Sequence, residues 1–132
     1  MESKFSHFMI VRQEHLNQYG NLFGGRVLSV IDELAFVACA QTFPGKNFVT
    51  RAIQRAEFAA PARLGDVLEF TFHVERVGTT SVTVRVQMAV HSKIAGAHGR
   101  APATETVLRS FDGAVVMVCV DDHGHAVPVK TA

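Results

Sequence analysis

Between Asn17 and Phe43 the chain reads NQYGNLFGGRVLSVIDELAFVACAQTF, and this stretch constrains the fold more than any other. Apolar residues at Val27, Leu28, Ile31, Leu34, Ala35 and Ala38 recur at the i, i+4, i+7 spacing of a helix. Pro44 and Gly45 stop it, because proline cannot continue the backbone ladder and disfavours helical angles in the residue before it. Val30, Phe36, Val37, Cys39 and Ala40 are apolar as well, so the helix is greasy on nearly all sides and must be wrapped by other structure. About nineteen such residues could almost cross a bilayer, but Arg26, Asp32 and Glu33 lie inside the run and strand-like sequence surrounds it.

Two acids interrupt the apolar field, and helical geometry separates them. Glu33 shares a stripe with Arg26 and Ser29, the thin polar edge of the helix. Asp32 points about 100° away, among Gly25, Leu28, Ser29 and Phe36. A carboxylate in such surroundings is partly desolvated, which makes it a stronger base, although a mid-helix Asp is more often simply hydrated or hydrogen-bonded.

At 132 residues the chain is sized for a single domain, with 121–132 a loosely held tail. A hydrophobic fraction of 48% is high for so small a chain and implies apolar surface buried between subunits. The net charge is +1 and there is no run of Lys or Arg, so neither nucleic acid nor a membrane surface is indicated. The N-terminal sequence lacks an uninterrupted apolar core followed by a cleavage site, and Cys39 and Cys119 lack the CxxC spacing, so reduced buried thiols in a cytoplasmic protein are expected. His123 and His125 lack a third partner in the sequence, and no metal site is expected.

Around the helix the pattern is β. Lys4 to Val11 reads as a first strand and Asn47 to Phe58 as an irregular one, closed by Pro61. From Val67, Leu68, Phe70, Phe72 and Val74 alternate with Glu69, Thr71, His73 and Glu75. After a hairpin turn at Gly78-Thr79-Thr80, the alternation returns with Val82, Val84, Val86, Met88 and Val90. Ser92 to Ala103 reads as a loop, and Thr104 to Val120 as a last strand with Asp112-Gly113 marking a hairpin tip or bulge. The sum is an α+β fold: a curved antiparallel sheet of about five strands wrapped around one long central helix. Such a sheet covers one side of the helix, and a two-fold dimer is the simplest cover for the other.

The motif Asn17-x-x-Gly20-Asn21-Leu22-Phe23-Gly24-Gly25 with Asp32-Glu33 following resembles the signature of the hotdog-fold acyl-CoA thioesterases, in particular the YciA-like and cytosolic acyl-CoA hydrolase types. Arg63-Leu64-Gly65-Asp66, Val77 to Val82 and Val118 to Gly124 match in order, so the resemblance runs along nearly the whole chain; His15 stands where those enzymes commonly carry an acid. The resemblance implies hydrolysis of an acyl-CoA to a carboxylic acid and free coenzyme A, with no cofactor, since coenzyme A belongs to the substrate. It also implies a homodimer assembled into a tetramer or hexamer. By the same resemblance Asp32 is the general base or nucleophile and Asn17 positions the carbonyl or the water. The amides of Gly24 and Gly25, at a helix N-terminus, would polarise the carbonyl.

The corner Gly78, Thr79, Thr80, Ser81 and the guanidinium of Arg55, or else of Arg51 or Arg63, are candidates for contact with coenzyme A and its phosphates, though turn residues and solvated arginines are common. Phe58, Phe70 and Phe72 read as core, one of them a candidate to line an acyl tunnel. Because Asp32 lies eight residues beyond Gly24, the two are about 12 Å apart along the axis and cannot share one carbonyl within one subunit. If both act, each site is shared between two copies. Two other readings use the same pocket: a 3-hydroxyacyl thioester dehydratase, for which His15 is poorly set, and a non-catalytic acyl-CoA sensor, which would not need Asp32.

Overall fold

The computed structural model describes residues 4–92 and 107–130. In chain order the elements are β1 (Lys4–Ile10), α1 (Gly24–Thr42), β2 (Asn47–Phe58), β3 (Val67–Val77), β4 (Ser81–His91) and β5 (Val107–Val120), with a short 3-10 turn at Gln13–His15. The five strands form one antiparallel sheet in the order β1-β3-β4-β5-β2, curved around α1. This is the expected hotdog arrangement. The loop and strand start expected at 93–106 lie outside the described residues.

The core forms where the concave face of the sheet meets one side of the helix. Leu68, Phe70 and Phe72 of β3, Val82, Val84, Val86, Met88 and Val90 of β4, and Phe111, Val115 and Met117 of β5 are all buried there. The helix contributes Val27, Ile31, Leu34, Ala35, Ala38 and Cys39. Burying each large apolar side chain contributes roughly 1.5–3 kcal/mol. The far side of α1 is uncovered: Phe36 is 44% exposed beside exposed Ser29 and Glu33.

β3 and β4 pair residue for residue from Val67–His91 to Val74–Val84. β2 does not keep such a register against β5. It gains one residue between Thr50 and Ala52 and another between Gln54 and Glu57. Each added residue switches which side chains face inward, so Thr50, Ile53 and Phe58 point to the concave side although their numbers alternate in parity. Arg55, in the second irregularity, has φ +56°, a left-handed conformation that costs a non-glycine residue about 1–2 kcal/mol.

Two sequence expectations are corrected. Of the two readings of Asp112-Gly113 the hairpin tip is overturned, because β5 runs through it without a break, while an irregularity of the pairing with β2 does lie opposite Gly113, between Gln54 and Glu57. Glycine is required at 113 because a Cβ there would come within 2.8 Å of the Phe111 ring and 3.1 Å of the Gln54 carbonyl oxygen. The segment from Asp121 to Val129 is also not loosely held. The Val127 amide donates to the Cys119 carbonyl at 2.9 Å, the Val129 amide donates to the Thr79 carbonyl at 2.8 Å, and Val129 is 1% exposed.

Candidate active site

The loop that leads into α1 is built by Asn17. Its side-chain oxygen accepts from the backbone amides of Tyr19 at 2.9 Å and Asn21 at 3.1 Å, and its own amide donates to the Asn21 carbonyl at 2.7 Å. Gly20 takes φ +80° to complete the turn. Two backbone donors fix the amide orientation, so Oδ1 is engaged and Nδ2 is the group the side chain has left to give. Outside the turn, Leu22 donates to the Ala62 carbonyl at 2.7 Å and Phe23 to the His15 carbonyl at 2.8 Å, pinning the loop between the end of β1 and the β2–β3 connection.

Phe23 precedes the helix and has no oxygen with which to cap it. The amides of Arg26 and Val27 donate to the Phe23 carbonyl, and those of Gly24 and Gly25, with no side-chain cap, stand as donors at the positive end of the helix dipole. An added side chain would meet a phenylalanine ring at both positions, as a clash only at Gly25. A Cβ on Gly25 would come within 2.6 Å of the Phe23 ring, and one on Gly24 would rest 3.6 Å from the Phe58 ring. Beside Gly24 opens a cavity of about 440 Å³, bounded by Asn21, Val27, Phe58, Ala60, Met88 and Ser110 among others.

Two turns further along, Asp32 is half-buried, and its Oδ1 accepts a short hydrogen bond from the Thr50 hydroxyl. Thr50 also lies 3.4 Å from the Met117 sulfur, which fixes its side chain against the sheet. One helical turn beyond this carboxylate, the Phe36 ring is 44% exposed. Sequence reasoning missed Thr50. It lies in the irregular strand, and the added residue beside it hides the parity that would have marked it as inward-facing.

The structure therefore gathers Asn17, Gly24 and Gly25 at one end of the helix and sets Asp32 with Thr50 near its middle. It does not bring the other candidates to either place within one chain. Gly78 donates to the Ser81 carbonyl at 2.7 Å, and Thr80 accepts from the Cys119 amide at 2.8 Å, so the Gly78 to Ser81 corner belongs to the end of the sheet near the helix C-terminus. Arg55 is exposed on the convex side, next to Glu57, Glu75 and Asp112 as well as Arg85. His15 is 8% exposed and its Nδ1 accepts from the Arg12 amide at 3.1 Å, so it shapes the loop.

Among the described residues burial perturbs one titration and an ion pair perturbs those of both its partners. Burial, together with the neighbouring Cys119 thiol, pushes the Cys39 thiol up to about 12, leaving it a protonated apolar packing group. The guanidinium of Arg85, at 2.7 Å, holds the Asp112 carboxyl below its usual range. Among the described residues there is no cluster of His, Cys, Asp or Glu arranged to hold a metal, and no helix long and apolar enough to cross a membrane.

Comparison with known proteins agrees with this geometry. A family model described as the thioesterase superfamily matches residues 19–90. The chain is 29% identical over 113 residues to the uncharacterized acyl-CoA thioester hydrolase YkhA of Bacillus subtilis, covering 86% of this chain and 60% of that protein. It is 34% identical over 79 residues to an esterase-named protein of Caenorhabditis elegans, covering 60% of this chain and 46% of that one. The chain thus spans roughly half the length of these relatives. An acyl-CoA hydrolase structure from Bacillus cereus superposes with a TM-score of 0.80 at 24% identity, over 95% of this chain and 70% of that one. With the family model spanning both the glycine-capped helix and the paired strands, the chain belongs to the thioesterase superfamily.

Proposed function

We propose that the protein hydrolyses acyl-CoA thioesters, with two copies of the chain forming each active site. The observation that carries this reading is the half-buried Asp32 carboxylate, held by the Thr50 hydroxyl beside the exposed Phe36 on an uncovered helix face. Superfamily membership supports it, as do the names of the relatives and structural neighbours, among them an apo-hexameric acyl-CoA thioesterase at 27% identity and TM-score 0.79.

In this reading the first-turn amides at Gly24 and Gly25 receive the carbonyl oxygen as it becomes negative. The Nδ2 of Asn17 is a further donor at that end of the helix. Asp32 acts on the carbonyl carbon either through a water whose proton it takes, or by direct attack to an acyl–Asp32 anhydride that water then opens, releasing the acid and restoring the carboxylate. The new C–O bond forms, the C–S bond breaks, and coenzyme A leaves as a thiolate, which is stable enough to depart without a strong acid.

Asp32 is eight residues and about 12 Å beyond Gly24 along the helix, so the carboxylate and the amides on one carbonyl come from different copies. The exposed Phe36 beside Asp32 is part of the surface that the second copy covers. Higher assembly of such dimers, and contact of Gly78 to Ser81 or Arg55 with coenzyme A, belong to the same proposal.

The test is free-thiol release from a panel of acyl-CoAs by the wild type and by Asp32→Asn. The wild type releases thiol, and the variant is slower by roughly 10²–10⁴-fold, the usual contribution of a positioned base. Tight acyl-CoA binding without thiol release from any member of the panel would replace the hydrolase reading with a sensor.

A further inference from the structure

The cavity beside Gly24 has a shape and a lining that select among substrates. Its space exists because of small residues: Ala59, Ala60 and Ala62, with Pro61, form one wall where longer side chains would fill it. That wall is fixed, since the Ala59 amide donates to the Ser110 carbonyl at 2.7 Å and Ala62 accepts from the Leu22 amide. The floor is closed by Met88, 1% exposed on the inner face of β4. Phe58 stands at the mouth, 47% exposed, its ring 5.4 Å from that of Phe111. The second irregularity of β2 is what turns Phe58 inward to this place.

The one buried polar side chain in the lining is already satisfied: the Ser110 hydroxyl donates to the Ala60 carbonyl. A charged tail entering the floor would lose its water and meet the apolar side chains of Met88 and Val27, with no charged side chain among the lining residues to pair with. Such a loss costs a neutral polar group about 1–3 kcal/mol on protein scales and an ion considerably more. An apolar tail loses nothing comparable.

Resting on the thioesterase reading above, we propose that this cavity receives the acyl tail, that it takes hydrocarbon tails of short to medium length, and that Met88 sets the length limit. At about 440 Å³ it lies toward the small end of the roughly 300–1,000 Å³ range of ligand sites. Phe58 packs along the tail near the carbonyl, and Met88 meets its end.

The experiment measures kcat/KM by thiol release with acetyl-, butyryl-, octanoyl-, palmitoyl- and succinyl-CoA. The wild type works best between butyryl and octanoyl, with palmitoyl and succinyl lower by about tenfold or more. Met88→Ala opens the floor and raises the palmitoyl-to-butyryl ratio about tenfold. Since a buried Met→Ala change can unfold the chain, Ala60→Leu, at a half-buried position of the wall, serves as the second variant and lowers the octanoyl-to-acetyl ratio by a similar factor. A wild type that prefers palmitoyl or succinyl, or active variants whose ratios match the wild type, would overturn the assignment while leaving the hydrolase intact. A wild type that frees no thiol from any of the five sinks the hydrolase reading and this inference together.

Discussion

β4 and β2 belong to one sheet, yet they are built on opposite terms. β4 lies in the middle, paired on both sides, and every inward residue from Val82 to Val90 is 0–1% exposed. β2 lies at the edge, is mostly exposed, carries two added residues, and holds Arg55 in a left-handed conformation. The regular strand makes stability. The irregular one turns Thr50 toward Asp32, Ile53 toward the core and Phe58 over the cavity, a set of one odd and two even positions that a strict period-2 strand could not bring to one face.

If that division is right, substitutions should separate cleanly into effects on stability and effects on turnover. The largest stability change is expected in the regular pair. Phe70→Ala, at a fully buried position of β3 opposite Met88, should cost about 3–5 kcal/mol in denaturant unfolding. A cost below 1 kcal/mol would mean that β3 and β4 are not the stabilising half.

In β2 the order reverses. Thr50→Val removes the hydroxyl that holds Asp32 and leaves an exposed position otherwise filled, so unfolding should change by no more than about 0.5 kcal/mol. Turnover should fall by roughly ten- to a hundredfold, the worth of a hydrogen bond to a charged group at about 1.5–3 kcal/mol. Loss of stability with turnover intact would contradict the comparison.

The smallest effect lies on the convex side of the regular strands. Asp112 is held below the usual carboxylate range by Arg85, so the folded state binds its proton less readily than the unfolded chain does. The pair therefore contributes stability above that range and loses it as pH falls through it. Both side chains are about 40% exposed, at 41% and 39%, and solvent screens the contribution. Asp112→Asn should lower the melting temperature slightly at neutral pH, and the difference should close on acidification; a gap that widened toward acid would reverse the assignment.

The same contrast explains what could be read in the chain before its structure. The helix, its stop at Pro44, and the β3–β4 hairpin were legible because their hydrophobic period is unbroken. Asp32 stood out as an acid on an apolar helix face. Thr50 did not, because an added residue at the neighbouring position destroys the alternation that would have assigned its face. The tail was misread for a related reason: a polar turn at Asp121, whose side chain accepts from the amides of His123 and His125, conceals the return of Val127 and Val129 to the core. Arg55 was read as a ligand for phosphate from its charge alone, and only the fold sets it among acids.

The central claim is that each carbonyl is held by the helix end of one copy and attacked by the Asp32 of another. It is tested most directly by combining Asp32→Ala chains with Asn17→Ala chains, each inactive alone, and measuring thiol release once mixed pairs have formed. Random pairing should restore hydrolysis toward about one quarter of the wild-type rate, since half the dimers are mixed and each mixed dimer carries one intact site. Activity no greater than the sum of the two variants, with mixed pairs demonstrably present, would contradict it.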